Sequence, residues 1–240
     1  MVYRRVKLAD VNLDINFHCI ENVMRFSAFF TESLPQYVVD ITPERLTEEK
    51  EKIVITCPAR RFSESDIEFN ALYSEIPVIL FKNDVITFHG VLVEMNNEGY
   101  LFTGDSGIGK STHARYWTEV YSPKARIING DKPLLRINSE GLFGYGSPWM
   151  GKENIGFNNK IRVKAICFIQ RGTSNKIHPL KKCSETIEKL IQQTMIRGRE
   201  QNLLGLFRWY KNALNYVEVY QLNCTNTKEA ALVAYNGMNY

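Results

Sequence analysis

Residues 104–111 read Gly104-Asp105-Ser106-Gly107-Ile108-Gly109-Lys110-Ser111, a G-x-x-x-x-G-K-S run placed between two segments of different periodicity. Tyr100-Leu101-Phe102-Thr103, just before it, is apolar and aromatic, which is a strand signal. Just after it, Ala114, Trp117, Val120 and Tyr121 recur at helical spacing. A strand feeding a glycine-rich turn that opens a helix is the context in which this motif works. Glycines let main-chain N–H groups converge on phosphate oxygens, and the helix start adds partial positive charge. Lys110 is positioned to reach the outer phosphates and Ser111 offers a hydroxyl to Mg²⁺. The motif predicts a nucleoside triphosphate, or a similar polyphosphate, as ligand.

Composition narrows the rest. In 240 residues, 44% hydrophobic and 23% charged, the chain has the balance of a globular protein with a sizeable core. A net charge of +4 permits contact with phosphates but does not by itself indicate nucleic acid, and no nucleic-acid partner is expected. Five cysteines (Cys19, Cys57, Cys167, Cys183 and Cys224) are scattered without a C-x-x-C pair, which argues against a disulfide framework and against zinc. Cys167 lies in an apolar run and reads as a core residue. No stretch approaches the length of a membrane span, and the N-terminus lacks a basic start followed by an apolar run. The expectation is a cytoplasmic protein without membrane contact.

Along the chain, residues 1–75 mix strand-like pieces (11–17 and 53–57) with charged stretches; 47–52 reads as a solvated face or loop. We take 1–75 as an N-terminal α/β extension without assigned function and 76–240 as the nucleotide-binding domain. Residues 76–81 form a buried apolar segment of ambiguous period. Strand-rich 85–95, the turn at 96–99 and the strand at 100–103 make a hairpin that runs directly into the glycine-rich loop. Residues 125–129 form a strand ending in Gly130-Asp131, and 134–145 another hairpin. Residues 163–170 form a buried strand, and Ser184 stands as N-cap of a helix through Met195. Residues 216–222 read as an edge strand, and 228–235 as a closing helix. Hairpins around such a loop differ from a parallel, doubly wound sheet.

A second constellation comprises His89-Gly90 in the strand paired to the one entering the loop, and Asp131 at the end of the next strand. A third piece is the segment Pro148-Trp149-Met150-Gly151-Lys152-Glu153. With these residues the chain resembles the HPr kinase/phosphorylase and phosphoenolpyruvate carboxykinase superfamily. Its shared core combines a His-Gly strand, a hairpin, a G-x-S-G-x-G-K-S/T loop and a strand ending in Asp. The resemblance covers about residues 76–153. It is strongest to short kinase-like members with a Gly-Asp-Lys-Pro segment, here 130–133, and a Pro-Trp-x-Gly-Lys segment, here 148–152. It implies an α/β fold, a mixed sheet with a P-loop nucleotide site of the HPr kinase and carboxykinase type.

The resemblance also implies roles. Asp131, with Ser111, would hold Mg²⁺ or take the proton from an attacking hydroxyl; either is within the chemistry of a carboxylate beside a metal. His89 would sit near the γ-phosphate, Lys152 would stabilise phosphoryl charge, and Glu153 is a weaker acid/base candidate. HPr kinases carry two adjacent carboxylates, whereas Lys132 follows Asp131 here. Arg197 and Arg199 are further candidates for a phosphate, and Trp149 for either a packing anchor or a substrate platform. The implied activity is an ATP- and Mg²⁺-dependent kinase whose acceptor is serine of a protein or precursor peptide, and the implied assembly a homo-oligomer. A small-metabolite kinase and a nucleotide-dependent switch with weak turnover remain as alternatives.

Overall fold

A computed structural model describes residues 2–239, which divide between Asn83 and Asp84 into two compact units. The first unit begins with β1 (Val2–Leu8) and β2 (Val11–Phe17), an antiparallel hairpin turned by Ala9 and Asp10, both at positive φ. α1 (Ile20–Phe26) follows, then β3 (Tyr37–Asp40), which pairs parallel to β2. Two helices complete the unit: α2 (Pro43–Thr56) and α3 (Glu64–Phe81).

α2 corrects part of the reading of its sequence, and α3 resolves the period that residues 76–81 left open. Residues 47–52 are a largely solvated face of α2 and 53–56 its last turn, with Cys57 as the C-cap, so 53–57 is not a strand. Thr42 caps the helix by accepting the Arg45 N–H, Pro43 suits its first turn, and Glu49 and Ile53 form a buried stripe at i, i+4. The β-branched Ile53, Val54 and Ile55 had suggested a strand, but Val54 and Ile55 are exposed on the helix's far side. In α3 a reciprocal Ser63–Asp66 capping box starts the helix, and residues 76–81 form its last turns.

In the second unit the elements are β4 (Val85–Thr87), β5 (Gly90–Met95), β6 (Glu98–Thr103), α4 (Lys110–Val120), β7 (Ala125–Asn129), β8 (Leu134–Asn138), β9 (Gly141–Tyr145), β10 (Lys160–Arg171), β11 (Lys176–Pro179), α5 (Ser184–Gln192), α6 (Leu203–Ala213), β12 (Glu218–Cys224) and α7 (Glu229–Met238). Nine strands form one mixed sheet, in the path β4-β8-β9-β10-β6-β5-β7, with β12 on β10 and β11 on β12. The expected mixed α/β architecture is present. The 216–222 segment is not an edge: as β12 it lies between β10, to which it is parallel, and β11, to which it is antiparallel. Its β-branched and aromatic composition suits both positions, and only the pairing distinguishes them. Ser184 is the first helical residue of α5 instead of its cap, which is Cys183, whose side chain caps no main-chain N–H.

Two register facts position everything that follows. In the β5–β6 hairpin, turned by Asn96 and Asn97 at positive φ, Gly90 pairs with Thr103. On the other side of β5, Leu92 pairs with Asn129 of β7. β6 and β7 are both antiparallel to β5, so their C-terminal ends and the N-terminal end of β5 lie at one edge. Residues 89, 104 and 130 therefore leave the sheet side by side, although they span more than forty positions of sequence.

α4 carries the loop's lysine and is held to the sheet by Trp117, which is fully buried. The indole packs against Tyr100 at 4.9 Å and Phe102 at 5.1 Å between ring centres, and against Tyr235 of α7 at 5.7 Å.

Candidate active site

The 104–111 loop leaves β6 at Thr103 and closes into α4 through three glycines at positive φ, Gly104, Gly107 and Gly109. Gly104 also has a steric reason to lack a side chain, because a Cβ there would stand 2.9 Å from the Ile169 carbonyl of β10. Lys110, only 7% exposed, turns back along its own loop, where Nζ donates to the carbonyls of Gly104 and Asp105, each at 3.0 Å. Burial lowers its pKa to about 8; Lys132 adds to that, and Asp131 and Asp105 oppose it. A helix start with unsatisfied amides and a lysine at its first position makes an anion-binding corner.

Facing this corner is the turn after β7. Asn129 is fully buried and builds it: its Oδ1 accepts the N–H groups of Asp131 at 3.0 Å and Lys132 at 2.7 Å. Its Nδ2 donates to the carbonyl and hydroxyl of Ser147. The Ser147 hydroxyl in turn donates to the Lys132 carbonyl at 2.6 Å and accepts the Trp149 N–H. The sequence reading missed both residues. An asparagine directly before Gly-Asp, bonding two residues onward, is an Asx-turn signal that reveals the first of them. Nothing local marks Ser147.

Close contact also dictates the glycines around this turn. A Cβ on Gly130 would lie 2.9 Å from the Met150 carbonyl, and one on Gly151, at φ +77°, would lie 2.8 Å from the Asp131 Cβ. Gly151→Ala is therefore expected to lower stability by about 1–3 kcal/mol from left-handed strain and overpacking. The check is the urea midpoint, and an unchanged midpoint would remove Gly151 as the backstop of Asp131.

The side chains meet in a cavity of about 500 Å³ lined by Ser106, Lys110, Ser111, Asp131, Lys132 and His89 among others, with Lys152 and Glu153 also on its wall. The sequence candidates His89, Lys110, Ser111, Asp131 and Lys152 thus border one space. Of the loop, Ser106, Gly107 and Gly109 line it, whereas Gly104 and Asp105 contribute the carbonyls held by Lys110 and Ile108 faces elsewhere. Arg197 and Arg199 are not on this wall; Arg199 donates to the Gln192 carbonyl. Trp149 is 4% exposed and serves as packing.

Charge is arranged closely. Lys132 Nζ donates to Asp131 Oδ1 at 2.7 Å, and His89 Nε2 lies 3.7 Å from the same oxygen, beyond hydrogen-bond range. The position of His89 is fixed from its backbone: its N–H bonds the Gln193 carbonyl, its carbonyl accepts the Thr103 hydroxyl, and the next N–H, Gly90, bonds the Asp131 carbonyl. Burial lowers the His89 pKa to about 4, with Lys132 and Lys110 adding to the shift against the opposing Asp131. At neutral pH the imidazole is uncharged and can accept or donate a proton in hydrogen bonds.

Fold and site together define a mixed α/β protein in which a glycine-rich loop and the helix start after it share one cavity with an acid, an imidazole and a second lysine. No protein-family model matches the sequence. A Fusobacterium nucleatum protein carrying the HPr kinase/phosphorylase name is 31% identical over 132 residues, 52% of this chain and 20% of that protein. The HPr kinase/phosphorylase of Lactobacillus acidophilus is 38% identical over 93 residues, 37% of this chain and 28% of that protein. These matches support an HPr kinase-like family for the chain, which spans less than a third of either relative. Among solved structures, the HPr(Ser) kinase/phosphatase from Coxiella burnetii aligns at 13% identity and a TM-score of 0.30, over 54% of this chain and 91% of that one. Among the described residues, no helix is long and apolar enough to cross a membrane.

Proposed function

We propose that this chain is an ATP-dependent phosphotransferase acting on a hydroxyl, serine of a protein or peptide. The observation that carries the reading is the shared cavity: Lys110 and Ser111 at the start of α4 and Asp131 after β7 line one space. All of its wall comes from the second unit. In this reading residues 104–111 hold the phosphates by main-chain amides, and Lys110 exchanges its two loop carbonyls for phosphate oxygens. Ser111 and Asp131 are hard oxygen donors of the kind that share Mg²⁺ with substrate phosphates. The metal, when bound, supplies neutralisation of charge on the transferring group.

The acceptor oxygen forms its bond to the γ-phosphorus while the bond from phosphorus to the β,γ-bridging oxygen breaks, leaving ADP. The hydroxyl proton passes to Asp131. Lys132 holds one carboxylate oxygen of Asp131 and leaves the other side of the group for the acceptor. Neutral His89 lines the same space and offers the phosphoryl group or the acceptor a hydrogen bond without a full charge. Lys152, on the cavity wall, faces the charge that develops on the phosphoryl oxygens. Positioning and electrostatics supply the rate in such a site.

The test is single-turnover transfer from γ-labelled ATP to arrayed serine peptides, comparing wild type with Asp131→Asn. A loss of about 10²–10³-fold with retained ATP binding is expected, the scale of removing one positioned catalytic group. Transfer unaffected by the substitution would overturn the role of Asp131. The Lys132–Asp131 ion pair also favours a second reading, a nucleotide-dependent switch, in which the acid is held and turnover is weak. Tight ATP binding by wild type without transfer to any peptide would select it.

A further inference from the structure

Lys132 is held more firmly than an ion pair with Asp131 requires. Its main-chain N–H is taken by Asn129 Oδ1 at 2.7 Å and by the Trp149 carbonyl at 3.1 Å, and its own carbonyl accepts the Ser147 hydroxyl at 2.6 Å. The side chain is only 15% exposed and ends on the wall of the cavity that Lys110 and Ser111 share. A lysine that served only to neutralise a surface carboxylate would keep its head in water. An ammonium group has three N–H donors. One is used on Asp131 Oδ1 at 2.7 Å, and among the described residues Nζ has no other acceptor. The remaining donors are available to an anion in the cavity.

We infer that Lys132 is a catalytic residue whose ammonium group bridges Asp131 and the transferring phosphoryl group in the place of a second divalent ion, so that the site works with one Mg²⁺ for each bound triphosphate. The inference rests on the phosphotransferase reading and adds to it the number of metal ions and the source of the further positive charge. Lys132 keeps its proton throughout; its part is to stabilise charge on the phosphoryl oxygens while Asp131 takes the proton of the acceptor.

Two observations limit the metal. The first is the surroundings of the acid. Asp131 Oδ1 is flanked by Lys132 Nζ at 2.7 Å and His89 Nε2 at 3.7 Å, both nitrogens, on the side where a further ion would have to sit. That leaves Oδ2 for one metal ion and the acceptor together, and Mg²⁺ demands close oxygen donors in near-octahedral order. The second is charge. The ionisable lining of the cavity, His89 aside, is Lys110, Lys132 and Lys152 against Asp131 and Glu153, three ammonium groups and two carboxylates. Such a wall is net positive and attracts a triphosphate that carries one Mg²⁺, which is still an anion. A second Mg²⁺ would cancel the charge of the ligand and stand among like charges, where a positive ion is disfavoured.

The experiment counts metal ions and follows transfer separately. Mn²⁺, which suits the same oxygen donors as Mg²⁺, is titrated into the full chain saturated with the β,γ-imido analogue of ATP, and free Mn²⁺ is read by electron paramagnetic resonance. Wild type is expected to bind one Mn²⁺ per chain. Lys132→Asp, which puts a carboxylate where the ammonium stood, is expected to bind two. Lys132→Gln, similar in length but uncharged, is expected to slow transfer from γ-labelled ATP by about 10²–10³-fold at saturating nucleotide, the scale of one donor to a developing charge. Lys132→Arg, which keeps the charge, is expected to stay within about tenfold of wild type. Two Mn²⁺ per wild-type chain, or transfer by a folded Lys132→Gln within about tenfold of wild type, overturns the inference and leaves the phosphotransferase reading intact. A wild type that binds no nucleotide, or binds it and transfers nothing, overturns both. The wild-type metal count stands however the variants fold, and circular dichroism melting of each variant separates lost charge from lost structure.

Discussion

Alanine in place of Lys110 is expected to lower phosphoryl transfer about 10³-fold, the upper end of what one charged donor at a developing oxyanion contributes. Lys110 Nζ sits at hydrogen-bond distance from two carbonyls of the very loop that would hold the phosphates. A lysine committed to structure would gain stability from that position. Burial instead lowers its pKa to about 8 from the ordinary lysine value, which means that the folded chain holds the charge less readily than the unfolded chain does. The sign follows directly. At neutral pH the ammonium burdens the fold, and that burden fades as pH rises through 8. Removing it is expected to leave the melting temperature of the ligand-free protein at or above that of wild type. Residues kept against stability mark function. Two measurements decide the matter: kcat/KM with γ-labelled ATP, and a thermal melt without nucleotide. A loss of transfer below tenfold would remove Lys110 from the chemistry, and a melt lowered by many degrees would assign it to the loop's architecture.

Trp117→Ala is expected to lower stability by about 3–5 kcal/mol, as large-to-small changes at fully buried aromatics do. The indole is 0% exposed and contacts β6 through Tyr100 and Phe102 and α7 through Tyr235. Its N–H also holds His113 Nε2, so the substitution leaves a buried acceptor unpaired. Against a total stability of about 5–15 kcal/mol, that loss is a large share. Trp117→Phe is expected to recover most of it but not the hydrogen bond. Urea unfolding monitored by circular dichroism gives both values. A cost under about 1 kcal/mol for the alanine variant would mean that α4 is anchored elsewhere.

The other aromatic prominent in the sequence, Trp149, illustrates how packing settles what composition leaves open. Read from sequence, it suited a platform or an anchor; it is 4% exposed, and its carbonyl and N–H join the turn that holds Asp131 and Lys132. Residues 53–57 show the reverse error. Four β-branched residues in a row, Ile53 to Thr56, favour a strand locally, yet a capped helix start at Thr42 and Pro43 and a buried stripe at Glu49 and Ile53 outweigh them. Residues 216–222 read as an edge from sequence, whereas β12 is paired on both sides, because pairing is a property of its neighbours β10 and β11 and of neither its length nor its composition.

Local chemistry in the sequence was enough to determine the glycine-rich loop between a strand and a helix. The requirements for tight backbone turns, a lysine at the helix start and an adjoining hydroxyl are met within eight consecutive residues. Hairpin β5–β6 was legible for the same reason, since its turn lies within the span it joins. Only the tertiary structure decided which distant residues join that loop. The pairing of β5 with both β6 and β7 brings His89, Gly104 and Asp131 to one sheet edge. The buried Asn129–Ser147 bond then sets the angle at which the acid is presented. Strand register is specified by contacts far apart in the chain, so no window of sequence contains it.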